Sequence, residues 1–333
     1  MRKGDGSLSA DFLLLLTAMI WGFAFVAQRA GMGSIGPFAY NAARYALGAL
    51  SLLPIILLRR PGRNDGSTPS AGQPAAAGVA SGAATDAAAT ARARRAALAR
   101  NLGYPLLAGT VLFLGASLQQ VGLVTTTAGN AAFITSLYVV LVPLIGLFLG
   151  RKVGAKGWLA AALAVAGLYI ISVGGKFSVA RGDLLVLVGA FFWACHILVI
   201  GHLATRTDPI LLSAGQFTVC AVYSLVASLL FDPPFPAGSW LEALGAAALP
   251  IAYGGILSCG VAFTLQIVGQ RKAKPSHASI IMALEALFGA IGGVIILGEP
   301  LTSRLVTGGL LMLGGAVLSQ VEVPKKRPDA GSR

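Results

Sequence analysis

Charge is what this chain has least of. Only 11% of its 333 residues are charged, while 56% are hydrophobic and the mean hydropathy is +0.79. A water-soluble domain could not cover itself with so little polar surface, so the composition requires an integral membrane protein. Cysteine and histidine are also scarce, with three of each. Cys195, Cys220 and Cys259 fall inside long apolar runs without the paired spacing of a metal site, and read as small apolar helix residues. No phosphate-binding Gly loop, metal triad or Ser-His-Asp pattern occupies a loop, which argues against an ATP-driven pump and leaves no cofactor expected. The net charge of +13 does not indicate nucleic acid, because the Lys and Arg residues lie between apolar segments and in the tails, not on one face.

What the chain does have is apolar segments of membrane length. Ten approach or exceed the roughly 20 residues a bilayer core demands: 12–32, 35–58, 102–124, 128–149, 155–174, 182–201, 210–231, 243–264, 275–297 and 302–320. The expected fold is therefore all-α, an integral membrane protein of ten transmembrane helices. Arg2 and Lys3 before the first run could open a signal peptide, but no clean cleavage site follows, so the run is read as a retained helix. With both termini cytoplasmic, twenty Lys and Arg lie inside and four outside (Arg29, Lys176, Arg181, Arg304), with Arg44 left within a span. That bias predicts a multi-pass protein of a prokaryotic cytoplasmic (inner) membrane with both termini inside. The Ala-, Gly-, Ser- and Pro-rich stretch near 61–98 reads as a flexible cytoplasmic loop. Its arginines could touch anionic lipid, or the stretch could be an insertion of tolerated length.

The segments also repeat. Asp11, Leu13, Leu15, Ala18, Trp21, Pro37 and Ala42 recur 172 residues later as Asp183, Leu185, Leu187, Ala190, Trp193, Pro209 and Ala214. Leu118-Gln119-x-Val121-Gly122 recurs as Leu265-Gln266-x-Val268-Gly269, an offset of 147, and Ala131, Ile134 and Leu137 return as Ala278, Ile281 and Leu284. The expected organisation is a first five-helix repeat over 1–174, a second over 175–322 and a cytoplasmic tail at 323–333. An odd number of spans per repeat inverts the second copy across the bilayer, the usual build of secondary transporters.

The residues Ala131 to Leu149 followed by Gly150, and Ser279 to Leu297 followed by Gly298-Glu299-Pro300-Leu301-Thr302, resemble the drug/metabolite transporter superfamily in its EamA branch. The fifth and tenth segments match as well, with Gly150, Leu163 and Gly167 returning as Gly298, Leu311 and Gly315. The resemblance implies a ten-helix carrier of small organic solutes, often an exporter, for amino acids, their derivatives, sugars, nucleosides or drugs. The family often reads Leu-Glu-Pro in its ninth helix, whereas this chain has Leu284-Glu285-Ala286 and lacks the proline that would kink it.

Polar groups within the spans are the site candidates, since a charge at the bilayer centre costs about 2.5–3.5 kcal/mol on insertion scales. Glu285, repeat partner of Tyr138, could bind an amine, take up a proton, or tie helices together. Arg44, repeat partner of Gln216, could hold a carboxylate or phosphate, or pair with Glu285 or helix-end carbonyls. Trp21 and Trp193 could form an aromatic cavity wall or serve as packing and interface anchors. Gln119 and Gln266 lie toward helix ends, where capping is favoured over a gate; Asn130 and His277 occupy matching helix starts, where they could attract an anionic group, though capping is the commoner role. His196 and Tyr253 complete the set as undecided interior groups. The Gly residues of 289–315 read as close-packing positions, and the fifth and tenth helices could form a homodimer contact.

The sequence thus points to an exporter of a small metabolite, such as an amino acid or derivative, with protons as a candidate coupling ion and Glu285 as the coupling residue. A multidrug exporter is the alternative within that class. A membrane-embedded enzyme would need clustered polar groups at one face, and a receptor would need a sizeable soluble domain. Neither is evident.

Overall fold

The computed structural model describes residues 5–58, 102–148, 154–172, 180–203, 206–233, 239–270 and 281–320. The stretch at 61–98, the tail at 323–333 and His277 lie outside them. Every regular element among the described residues is a helix. The first half gives α1 (Asp5–Gly31), α2 (Pro37–Leu58), α3 (Tyr104–Gly122), α4 (Ala128–Ser136), α5 (Tyr138–Phe148) and α6 (Ala155–Ser172). The second gives α7 (Arg181–Leu203), α8 (Pro209–Phe231), α9 (Trp240–Ala246), α10 (Ala248–Ala252), the π-helix α11 (Tyr253–Ala262), α12 (Phe263–Gln270), α13 (Glu285–Leu297) and α14 (Ser303–Gln320). Among the described residues seven stretches are long and apolar enough to cross a membrane: Ala10–Gly31, Pro37–Leu58, Tyr104–Gly122, Ala128–Phe148, Arg181–Leu203, Pro209–Phe231 and Ala248–Gln266. Three shorter apolar helices accompany them, Ala155–Ile171, Glu285–Leu297 and Ser303–Leu318.

Three of the expected spans are interrupted, the fourth, the ninth and the eighth. Segment 128–149 breaks at Leu137, whose N–H donates to the Ile134 carbonyl at 3.2 Å, three residues back, before α5 starts at Tyr138. The ninth segment does the same at Leu284, whose N–H donates to Ile281 at 3.1 Å before α13 starts at Glu285. Leu137 and Leu284 are repeat partners, so both halves break at one register. Proline causes neither break: a ring at Pro143 disturbs the carbonyl four residues back, at Val139, and position 286 is Ala. The ninth helix therefore turns without the family's usual proline.

The eighth segment, expected as one helix, passes through α9, α10, the π-helix and α12. Its wide turns carry Gly254, Gly255 and Gly260 against α2. A Cβ on Gly255 would stand 2.8 Å from the Arg44 carbonyl oxygen, and one on Gly48 would stand 2.7 Å from Cys259 Cβ. Small residues on both partners let these backbones meet.

Helix pairing follows the repeat. α2 packs along α8, α6 along α14, and α4 along α13. α1 packs on α11, α12 and α13, while α7 packs on α3, α4 and α5. Gly167 and Gly308 make the α6–α14 contact tight, since a Cβ on Gly308 would lie 2.7 Å from the Gly167 carbonyl oxygen. Outward-facing Leu57, Phe148, Leu229 and Ile295 are largely exposed, which suits a lipid surround.

Candidate functional site

A cavity of about 680 Å³ lies between the helices. Trp21, Arg44, Tyr138, Trp193 and Glu285 all line it, as do Gln119, His196 and Gln266. Gln216 stands behind His196, while Asn130 and Tyr253 are not among the lining residues. The wall also includes Gln28, Thr135, Ser258, Phe263 and Met282.

The two indoles are held from opposite halves. Trp21 Nε1 on α1 donates to the Ser258 carbonyl of α11 at 3.1 Å, and its ring meets Phe263 edge-on at 5.6 Å between centroids. Trp193 Nε1 on α7 donates to Gln119 Oε1 of α3 at 2.8 Å, and its ring meets His196 edge-on at 5.8 Å. Hydrogen bonding and edge-on packing fix each ring in place at the wall. Both line the cavity and are bonded to the opposite half.

Gln119 is not a helix cap. Its side chain is buried, its Oε1 accepts from Trp193 and from the Thr135 hydroxyl at 3.3 Å, and its Nε2 donates to Gln28 Oε1 at 2.9 Å. One amide thereby ties α1, α3, α4 and α7 together. Its repeat partner Gln266 also faces the cavity, with Nε2 3.7 Å from Met282 Sδ. The capping expectation fails for Gln119 because its helix runs on to Gly122 and its amide points sideways into the bundle. For Asn130 the cap is Thr127, whose hydroxyl accepts the Asn130 N–H at 3.0 Å. Asn130's own amide donates to Asp183 Oδ2 at 3.4 Å.

Arg44 and Glu285 are each 4% exposed, yet they are not paired. Arg44 Nη2 donates to the Tyr45 hydroxyl at 3.0 Å, and its guanidinium lies 4.6 Å from the Tyr45 ring centroid and 5.7 Å from that of Tyr40. Neighbouring tyrosines flank the cation with ring faces in place of a carboxylate, and its Nε is buried without a hydrogen-bond partner. Glu285 opens α13 with its carboxyl beside the hydroxyl of Tyr138, its repeat partner. Among the described lining residues Glu285 is the one carboxyl and Arg44 the one guanidinium. His196 Nε2 lies 2.8 Å from Gln216 Oε1, which occupies it as an interior group. Tyr253 donates to the Ile20 carbonyl at 3.0 Å and fastens α1 to α11.

Gln28, Thr135, Ser258 and Phe263 were missed by the sequence reading. For Gln28 a signal existed: it lies seven residues after Trp21, two turns along the same helix face. Ser258 contributes its main-chain carbonyl to Trp21, which no side-chain pattern announces. Among the described residues no group of His, Cys, Asp and Glu could hold a metal ion.

The arrangement suits a small amphipathic solute: aromatic and aliphatic wall, several amides, one carboxyl, one guanidinium and one imidazole. Comparison with known proteins bears on what such a cavity is for. A relative from Archaeoglobus fulgidus, called an uncharacterized transporter, is 28% identical over 322 residues, spanning 96% of this chain and 89% of its own length. The uncharacterized transporter YvbV of Bacillus subtilis is 31% identical over 212 residues, 62% of this chain and 67% of its own. A solved crystal structure superposes with a TM-score of 0.57 at 18% identity, covering 94% of this chain and 96% of that one, which shows a shared fold. The model of the EamA-like transporter family matches twice, over residues 8–173 and 180–320. With both halves matched, the chain belongs to the EamA-like transporter family, within the drug/metabolite transporter superfamily.

Proposed function

We propose that this multi-pass transporter is a secondary exporter of a small organic metabolite, such as an amino acid or derivative, working by alternating access. The observation that carries the reading is the cavity between the family-matched halves, walled by Trp21, Tyr138, Trp193 and Glu285 with Arg44 in support. A ten-helix inverted repeat is the architecture this reading uses. The reciprocal packing supports it: α1 lies on the second half's α11–α13 as α7 lies on the first half's α3–α5, while α2 with α8, α4 with α13 and α6 with α14 are self-partners. Such a pattern is what a pseudo-two-fold axis in the membrane plane would produce. The positive-inside bias supports an inner-membrane placement with both termini cytoplasmic.

In the proposed cycle the two halves rock about the cavity, and the solute's apolar part rests on the indoles. Glu285 takes either the solute's amine or a proton, because a carboxyl in a low-dielectric wall is favoured as the neutral acid or as one half of an ion pair. The test compares all small solutes inside and outside cells with and without the chain. The expected result is at least one organic solute in excess outside only when the protein is present. Identical profiles would contradict export.

A further inference from the structure

Three carboxylates away from the cavity sit at one end of the bundle, and each belongs to the second family-matched half while gripping the first. Asp232, just past α8, takes the start of α2: the Ala39 N–H donates to Oδ2 at 2.7 Å and the Phe38 N–H to Oδ1 at 3.3 Å. Glu299, just past α13, takes the start of α4: the Ala128 N–H donates to Oε1 at 2.6 Å and the Gly129 N–H to Oε2 at 3.1 Å. Asp183, in the first turn of α7, accepts from the Thr126 hydroxyl and from the Asn130 amide at 3.4 Å. Carboxylates at helix N-termini combine charge-assisted hydrogen bonds with a favourable helix dipole.

Glycines make room for all three. A Cβ on Gly36 would stand 2.6 Å and 2.7 Å from the two Asp232 carboxylate oxygens, and one on Gly293 would collide with the Glu299 carboxylate. A Cβ on Gly182, beside Asp183, would stand 2.6 Å from both the Gly122 carbonyl oxygen and the Thr125 hydroxyl. Gly298, at φ 66°, turns the chain by a left-handed residue so that Glu299 folds back over α13. The cavity extends the other way. Its lining on α7 runs from Trp193 to Gly201, away from Asp183, and on α8 from Pro209 to Ser213, away from Asp232.

We infer that Asp183, Asp232 and Glu299 form a latch that holds the two halves shut at this end, and that its release opens the cavity to that side of the membrane. This rests on the alternating-access reading. The test uses Ala24→Cys, a cavity-lining position, in a chain whose Cys195, Cys220 and Cys259 are replaced by Ala. A membrane-impermeant maleimide is applied to sealed vesicles of each orientation. The parent is expected to label from the face opposite the latch. Asp232→Asn with Glu299→Gln should raise labelling from the latch face at least about tenfold, the weight of a charge-assisted hydrogen bond. Gly36→Ala retains every charge but displaces Asp232, and should raise latch-face labelling in the same direction. Labelling from the opposite face, at matched membrane levels, reports that each variant is folded. Unchanged latch-face labelling in both variants overturns the latch. A parent that labels from neither face instead removes the alternating-access reading on which the latch stands.

Discussion

At the residue scale, the cavity depends on a few polar side chains whose partners lie on other helices. Gln119 is the most connected, bonding to Gln28, Thr135 and Trp193. Gln119→Ala leaves the partly buried Trp193 indole N–H and the buried Gln28 amide oxygen without this partner, at up to about 1–3 kcal/mol for each unsatisfied group. The variant should melt lower in detergent than wild type and should transport more slowly. Gln119→Glu, which keeps the acceptor, should recover more of both than Ala does. Glu285 makes a sharper prediction. If this carboxyl carries the coupling proton, wild-type flux responds to an imposed pH gradient and Glu285→Gln flux does not. A Gln variant with the wild-type gradient dependence would reduce Glu285 to a structural or substrate-binding role. The five principal candidates could be picked out of the sequence because polar and aromatic groups stand out in apolar spans. Their partners could not: the tyrosine faces that hold Arg44 in place of Glu285 depend on how α2 turns within the bundle, which a sequence does not state.

At the scale of elements, hydrophobic length picked out ten apolar segments, of which seven are helices long and apolar enough to cross a membrane among the described residues and three are shorter apolar helices. It located irregularities poorly. Nothing in the apolar run from Ala128 to Phe148 signals the break at Leu137, and only the repeat reveals that Leu284 breaks in register with it. The π-helical stretch Tyr253–Ala262 was equally hidden, since a π-turn changes carbonyl partners without changing composition. Glycine placement was more informative. The α6–α14 seam depends on Gly167 and Gly308, whose backbones approach too closely for a larger side chain. Gly308→Leu should therefore destabilise the fold by about 1–3 kcal/mol or more through overpacking. Gly314→Leu on the same helix, where an added Cβ meets nothing within 4 Å, should be close to neutral. Thermal unfolding of the two purified variants in one detergent distinguishes them; equal midpoints would refute the packing argument.

At the scale of the molecule, two copies of one family sequence build a single cavity, and both copies supply its wall. The crossed indole bonds, Trp21 to Ser258 and Trp193 to Gln119, give each half a hold on the other at the cavity wall. In the proposed rocking cycle, movement of one half against the other would have to break or carry these bonds. The low-complexity stretch within 61–98 plays no part in this scheme. Deleting residues 66–90 should leave transport intact at matched membrane levels, and lost activity would show that the stretch does more than connect spans. The most direct test of the central claim is flux in proteoliposomes, using the solute that cells export only with this chain. Wild type is compared with Trp21→Ala/Trp193→Ala at equal protein and confirmed folding. If the cavity is the path, the double variant loses at least about tenfold in flux, because the aromatic wall and two bonds between the halves go together. Equal flux from the two proteins would mean that the solute travels elsewhere.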